Sequence, residues 1–244
     1  MKTYVIGNLK GGVGKTTTTV NLAYSLSLLN QRVLVVDCDP QCNTTVFFSK
    51  VNAKGISIKQ ILENPGKVKT YRTKYPDIDL IKGSPNTTAY SQTALNEALA
   101  CVEGGYDVCL IDTRPVFDDI TKNAVYAADV LLTPIKFDNF CRDNLALVED
   151  AYHDFTEVNP ELEWFVFANM VARAKAQKKA SEDLIGRHAY PILNTCISRS
   201  AIVDNALSLY KPVARHRNDS AVAGDFMELA AELLALPNGG GSNE

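Results

Sequence analysis

Short apolar runs alternate with longer segments of helical periodicity along nearly the whole chain. This alternation is typical of parallel strands joined by covering helices, so we expect an α/β fold with a doubly wound, mostly parallel sheet and helices on both faces. The predicted strands are residues 3–8, 32–37, 78–83, 106–112, 129–135 and 164–171. The predicted helices are residues 15–30, 87–103, 138–158, 175–188 and 219–236.

The alternation continues without an internal repeat or a long linker, which predicts one domain over residues 1–236. Residues 237–244, PNGGGSNE, are rich in glycine, and we expect a disordered tail there. No apolar run approaches the ~20 residues that span a bilayer, and the first residues lack the apolar stretch of a signal peptide. We therefore expect a cytoplasmic protein. The scattered cysteines form no CxxC pair, so they predict reduced thiols and no zinc site or disulfide framework.

The first predicted strand leads into KGGVGKTT at residues 10–17, the pattern of a deviant Walker A phosphate loop. Glycines let such a loop bend with its N–H groups facing inward, and the following helix adds the positive end of its dipole. Lys15 would reach the β and γ phosphates, and the Thr16 hydroxyl would bind Mg²⁺. The motif predicts an ATP site on a P-loop NTPase fold. Its expected nucleotide contacts are Gly11, Gly12, Val13, Gly14, Lys15, Thr16 and Thr17.

Lys10 is a second lysine, which an ordinary phosphate loop does not need. Within one chain, two lysines on one loop would repel each other. Across a dimer, Lys10 could instead reach the partner's phosphates and stabilise their charge in trans. This interpretation predicts a homodimer that forms on binding ATP.

Acidic residues end two of the predicted strands, at the edge where open α/β sheets bind ligands. Asp37 and Asp39 lie two apart in VVDCDPQCN, and residues at this spacing share a face of a strand. Asp37 could hold the magnesium shell, and Asp39 could orient and deprotonate the attacking water. Asp112 ends the apolar strand YDVCLID, the Walker B arrangement, where it would bind Mg²⁺ through water.

Taken together, KGGVGKTT at 10–17, DCDPQCN at 37–43 and CLIDTRP at 109–115 resemble the ParA family of chromosome and plasmid partition ATPases. The resemblance continues through residues 121–135 and 197–213 and covers nearly the whole chain. It implies dimerisation driven by ATP and non-specific binding of DNA by the dimer. It also implies hydrolysis stimulated by a centromere-binding partner of the ParB type.

The resemblance also assigns roles to individual positions. The implied residues are Lys10 as the signature lysine, Lys15 as the phosphate-loop lysine, Thr16 and Asp112 for magnesium, Asp39 for water activation and Asn169 for adenine. The chain departs from the family at two places. Arg114 stands where a proline is usual, as a phosphate contact, a partner contact or a solvated side chain. Cys42 replaces a glycine, which predicts a stiffer loop after the second strand.

With a net charge of -3, any DNA contact must come from a local basic patch. The family carries a basic DNA contact in the segment 197–213. This segment and the residues just after it predict a patch formed by Arg199, Lys211, Arg215 and Arg217. Solvated faces are the alternative for this patch and for two further basic groups. These groups are Arg173, Lys175, Lys178, Lys179 and Arg187, and then Lys67, Lys69, Arg72 and Lys74.

Two other functions remain open from the sequence. A MinD-like positioning ATPase needs a basic amphipathic C-terminal helix to grip lipid, whereas the last predicted helix here, DFMELAAELLAL, has an acidic polar side. We therefore expect no membrane partner. A metabolic synthetase of the dethiobiotin synthetase type would share the phosphate loop without binding DNA. Stimulation of ATP hydrolysis by DNA would distinguish a partition ATPase from such a synthetase.

Overall fold

An eight-stranded sheet forms the centre of the computed structural model, which describes residues 1–49, 56–87, 91–138, 140–172 and 190–237. Its strand order is β3-β4-β2-β5-β1-β6-β7-β8, and every neighbouring pair is parallel except β3 and β4. The strands are β1 Lys2–Ile6, β2 Val33–Asp37, β3 Tyr71–Arg72, β4 Ile78–Ile81, β5 Val108–Asp112, β6 Val130–Ile135, β7 Glu163–Val171 and β8 Ile192–Ser198.

Helices cover both faces of the sheet. In the described part of the chain they are α1 Lys15–Leu28, α2 Asn43–Phe48, α3 Ile58–Glu63, α4 Ala94–Ala100, α5 Asp119–Tyr126, α6 Cys141–Thr156, α7 Ala201–Ser208, α8 Val213–His216 and α9 Ala221–Ala235. A 3₁₀ turn, Glu103–Gly105, precedes β5. None of these helices has both the length and the apolar composition needed to cross a bilayer.

Two apolar cores lie on the two sides of the sheet, because successive strand residues point to opposite faces. One core joins Tyr4 and Ile6 of β1 to α1 and α9. The other contains Val5 of β1 and packs against α3, α4, α5 and α6. Strands β2, β5 and β6 are buried at every position, as expected for central strands of a parallel sheet. The doubly wound α/β fold predicted from the sequence is therefore confirmed.

The six predicted strands all form, with ends that differ by up to two residues from the prediction. Strands β3 and β8 were not predicted. β3 has only two residues, and β8 alternates poorly because it contains Asn194, Thr195 and Cys196 at half-buried or exposed positions on a sheet edge. Such short or edge strands carry little hydrophobic periodicity.

Three predicted helices correspond to α1, α6 and α9, with shortened ends. The helix predicted over residues 87–103 is wrong in length, since α4 covers only Ala94–Ala100 and residues 88–90 lie outside the described part. The predicted helix 175–188 and most of the predicted tail also lie outside the described residues. Helices α2, α3, α5, α7 and α8 were not predicted, because segments of four to eight residues hold too few positions for a 3.6-residue period.

The carboxyl ends of β1, β5 and β2 lie side by side. Ile6 pairs in register with Asp112, and Asp112 pairs with Asp37. The loop after β1 therefore lies at the same sheet edge as the two carboxylates that end β5 and β2.

Candidate active site

The loop between β1 and α1 has the backbone shape that its glycines predict. Gly12 and Gly14 have φ values of 71° and 91°, a left-handed region that glycine adopts without steric cost. A Cβ atom at Gly14 would also lie only 2.5 Å from the side-chain nitrogen of Asn169. Gly14 precedes α1, and no side chain caps the first turn of this helix. Its free N–H groups and dipole therefore face the loop and favour an anion there.

Lys15 lies inside this loop and is only 7% exposed. Its ammonium donates hydrogen bonds to the backbone oxygens of Asn8 and Lys10, at 3.0 and 3.1 Å. Burial lowers the pKa of Lys15, while the nearby carboxylates of Asp112 and Asp39 raise it. An ammonium has three N–H donors, so Lys15 keeps one for an anion bound in the loop.

Asp112 and Thr16, two of the three predicted magnesium residues, are in direct contact. One oxygen of Asp112 accepts hydrogen bonds from the hydroxyls of Thr16 and Thr44, at 2.7 and 2.6 Å. Its other oxygen is buried and has no hydrogen-bond partner in the described part of the chain. Burial raises the pKa of Asp112 to about 6, although both hydroxyls lower it. A buried, unpaired carboxylate oxygen is costly unless a cation binds it, so this pair of residues fits Mg²⁺.

Asp37 is fully buried beside Asp112 and holds the loop that follows β2. It accepts hydrogen bonds from the backbone nitrogen and hydroxyl of Thr45, at 2.8 and 2.6 Å, and from the backbone nitrogen of Asp39, at 3.1 Å. Burial and the charge of Asp112 raise the pKa of Asp37 to about 7. Thr44 and Thr45 were missed by the sequence analysis. Their signal was the pair of hydroxyl residues directly after DCDPQCN.

Asp39 lies in the loop after β2, half-buried, where one of its oxygens accepts a hydrogen bond from the backbone nitrogen of Gln41 at 2.8 Å. Its charge acts on both Asp112 and Lys15, which locates its carboxylate at the same site. Further along, Cys42 has φ 54° and precedes α2. The loop thus keeps the left-handed turn that suits glycine, and the cysteine bears a strain of about 1 kcal/mol there.

Lys10 is held within its own chain by a residue that the sequence analysis missed. Its ammonium contacts both carboxylate oxygens of Asp138, at 2.7 and 2.6 Å, and lies 5.8 Å from the centre of the Phe140 ring. Its backbone nitrogen donates to the Asn8 side chain, which also accepts a hydrogen bond from Asn144. The only signal for Asp138 was a polar residue shortly after a buried strand.

Asn169 at the end of β7 is buried against the phosphate loop, where its side chain donates to the backbone oxygen of Val13 at 2.8 Å. Beside it lies a cavity of about 180 Å³ that Thr17, Asn169 and Met170 line in part. The predicted adenine residue is therefore adjacent to a small cavity next to the loop.

Arg114, the first departure from the family pattern, is half-buried and forms an ion pair with Asp118. Asp118 also caps α5 by accepting a hydrogen bond from the backbone nitrogen of Thr121. The arginine therefore contacts the residue that caps α5, while its Nε is buried without a hydrogen-bond partner among the residues that the structure describes.

The four basic residues predicted to bind DNA lie in two separate places. Arg199 and Arg217 line one cavity of about 560 Å³, together with Ser198 and Ser200. Lys211 and Arg215 line another cavity, which also contains Lys74. The basic group between residues 173 and 187 lies outside the described residues.

Comparison with known proteins gives consistent matches. The AAA domain family AAA_31 matches residues 1–164, more than half of the chain. The chromosome partitioning protein ParA of Caulobacter vibrioides is 28% identical over 96% of this chain and 94% of that protein. The chromosome-partitioning ATPase Soj of Thermus thermophilus is 30% identical, over 94% of both chains.

Two solved structures share the fold. Cobyrinic acid a,c-diamide synthase from Mycobacterium smegmatis, with a bound ATP analogue and magnesium, has a TM-score of 0.79 and 24% identity over 96% of this chain and 94% of that one. The cell division ATPase MinD of Pyrococcus furiosus has a TM-score of 0.80 and 20% identity over 97% and 99%. The full-length match to Soj and the phosphate loop with its two lysines lead to one conclusion. The chain belongs to the ParA/Soj family of P-loop ATPases.

Proposed function

We propose that this protein is a partition ATPase of the ParA type, which dimerises on binding ATP, binds DNA non-specifically and moves plasmid or chromosomal DNA in the cytoplasm. The proposal rests on Lys10, the second lysine beside the phosphate loop. Its side chain is partly exposed and forms an ion pair with Asp138, a carboxylate that it can exchange for phosphate. The full-length similarity to chromosome partitioning proteins supports the same class.

The nucleotide would bind along residues 11–17. The loop N–H groups and the third donor of Lys15 would hold its phosphates, and the cavity beside Thr17 and Asn169 would hold adenine. Thr16 and the unpaired oxygen of Asp112 would hold Mg²⁺, and Asp37 would support its water shell from the neighbouring strand. When bound, Mg²⁺ would neutralise negative charge on the phosphates.

Asp39 is the best candidate for activating the attacking water. Its carboxylate lies on the loop between β2 and α2 beside the site, and only one backbone N–H in the described residues donates to it. Asp37 and Asp112 are less suitable as the base, because their oxygens already hold the loop or face the metal position. In this role Asp39 would orient the water and take its proton as the phosphate bond breaks.

Arg199 and Arg217 are the proposed core of the DNA contact. Both are exposed, and both line one cavity with two serines that can also donate hydrogen bonds to phosphate. A single small basic patch on a chain of net charge -3 binds DNA weakly, whereas a dimer presents two patches and gains avidity. ATP would thereby control DNA binding, and a ParB-like centromere-binding protein would stimulate hydrolysis.

The experiment that tests this proposal measures ATP hydrolysis with and without duplex DNA, and DNA binding with ATP, with ADP and without nucleotide. A partition ATPase should bind DNA with ATP and not with ADP. A P-loop synthetase of the dethiobiotin synthetase type should be indifferent to DNA in every state, and that result would replace the proposal with the metabolic alternative. A MinD-like function would instead require ATP-dependent binding to anionic vesicles.

A further inference from the structure

A cavity of about 540 Å³ lies at the end of α1 that is remote from the phosphate loop. It is formed by the last turns of α1, by the loop before β4 and by the segment joining α7 to α8. Its lining residues are Tyr24, Ser27, Leu28, Lys74, Tyr75, Pro76, Asp77, Leu209, Lys211 and Arg215. We call it the α1–α7 cavity. Because α1 has 14 residues, the cavity lies about 20 Å from the nucleotide loop.

The floor of the α1–α7 cavity is fixed and partly apolar. The rings of Tyr24 and Tyr75 pack edge to face at 5.3 Å, and the Tyr75 hydroxyl donates a hydrogen bond to the backbone oxygen of Tyr210. On its walls, the side chains of Leu28 and Leu209 are 49% and 54% exposed. Burying such large apolar side chains lowers the free energy, so these two leucines favour a bound apolar group. The cavity thus offers a preformed apolar surface to a ligand.

The rim of the cavity is basic. Lys74, Lys211 and Arg215 line it against a single carboxylate, Asp77. The Lys74 ammonium donates to the backbone oxygen of Tyr210 at 2.9 Å, and Lys211 and Arg215 form no ion pair with any residue that the structure describes. Burial and the neighbouring charge of Lys211 lower the pKa of Lys74, so an anion bound here would relieve repulsion between the two lysines.

We propose that the α1–α7 cavity is a docking site for an acidic peptide segment, which inserts one large apolar side chain between Leu28 and Leu209 and contacts Lys211 and Arg215 through its carboxylates. Complementary charge and a preformed apolar pocket together favour such a peptide. DNA is the less suitable ligand, because phosphate contacts require cations and donors and gain nothing from exposed leucines. The site is independent of the proposed nucleotide function, since none of its residues belongs to the phosphate loop.

The test uses fluorescence anisotropy with the full-length protein and a labelled peptide in which one Leu is flanked on each side by three Asp or Glu residues. Matched peptides carry Ser in place of the Leu, or Lys in place of every acidic residue. We expect saturable binding of the first peptide and at least about fivefold weaker binding of the other two, the order expected for one lost apolar or charged contact. Binding should be unchanged without nucleotide and in Lys15→Ala.

Protein variants separate the α1–α7 cavity from general basic surface. Lys211→Glu, Arg215→Glu and Leu209→Asp should each weaken the acidic peptide at least about fivefold. Lys122→Glu, an exposed lysine on α5, is the matched control and should not. The proposal is overturned if the peptide does not saturate, or if the Ser peptide binds equally well. It is also overturned if Lys211→Glu weakens duplex DNA and leaves the peptide unaffected, which would make the cavity a DNA contact.

Discussion

The ammonium of Lys10 lies between both carboxylate oxygens of Asp138, at 2.7 and 2.6 Å, within a single chain. The two side chains are 28% and 31% exposed, so water weakens the pair and its rupture costs little. A lysine that serves a partner subunit's phosphates must first leave Asp138. The ion pair with Asp138 therefore competes with the proposed contact between Lys10 and the partner's phosphates. Until nucleotide binds, it holds the lysine side chain in a defined position.

Replacing Asp138 should favour the dimer. In Asp138→Asn the competing charge is lost, and we expect the ATP-dependent dimer to form at a protein concentration about fivefold lower, the order of one partly exposed ion pair. Light scattering across a dilution series with ATP and Mg²⁺ measures this. Asp143→Asn, an exposed carboxylate in the first turn of α6, is the control and should behave as wild type.

Lys10→Ala should bind ATP as a monomer and fail to dimerise, and a normal dimer would contradict its role in trans.

Lys15→Ala should remove nucleotide binding. The buried ammonium is the loop charge that would meet the β and γ phosphates within one subunit, so we expect at least about a hundredfold loss of ATP affinity. Isothermal titration calorimetry measures it, and circular dichroism checks that the variant folds. If the affinity stays within a few-fold of wild type, the ATP site does not lie on this loop.

Asp39→Ala should separate binding from chemistry. Its carboxylate accepts a loop hydrogen bond from Gln41 but none from the phosphate loop, so ATP and Mg²⁺ should still bind with near-normal affinity. Loss of a general base should lower the hydrolysis rate by about a hundredfold to ten-thousandfold and trap the ATP dimer. A steady-state phosphate-release assay decides this. Normal turnover would reduce Asp39 to a turn residue and leave water activation to another group.

Asp112→Asn should change how stability depends on pH when no Mg²⁺ is present. Burial raises the pKa of Asp112 from 3.8 to about 6, so between these values the folded state binds more protons than the unfolded state. Stability from this group is therefore lost as pH rises, by about 1 kcal/mol between pH 5 and pH 8. The asparagine variant should lack this component. Urea unfolding in EDTA at both pH values tests it, and identical pH profiles would show that Asp112 is ionised throughout.

The sequence was a reliable guide wherever chemistry demanded local residue types. The phosphate loop follows a buried strand, and Asp37 and Asp112 each end one. They lie together because the carboxyl ends of neighbouring parallel strands meet at one edge of the sheet. Partners that come from elsewhere in the chain could not be found in this way. Asp138 is 128 residues from Lys10, and nothing in its local sequence distinguishes it from other loop carboxylates.

The sequence also could not predict which basic residues share a surface. Arg215 and Arg217 are two apart in sequence, yet the short helix α8 ends between them and they line different cavities. Lys74 and Lys211 are far apart in sequence, but the fold brings them together in the lining of one cavity. Charge clusters along a chain therefore identify candidates, whereas the fold decides which of them share a surface.

Two variants test which of the basic surfaces binds DNA. Arg199→Glu should abolish ATP-dependent DNA binding, because Arg199 lines the proposed DNA cavity with Arg217, while Arg215→Glu should weaken it much less. ATP binding and dimerisation should persist in both variants. Arg199 also lines the small cavity proposed for adenine, so DNA binding is measured at an ATP concentration that calorimetry shows to saturate each variant. Wild-type affinity should fall with salt at a slope of ~0.9 per neutralised phosphate and depend little on DNA sequence. Filter binding at several salt concentrations measures this. Normal binding by Arg199→Glu, or equal losses in the two variants, would remove the proposed DNA site from this cavity.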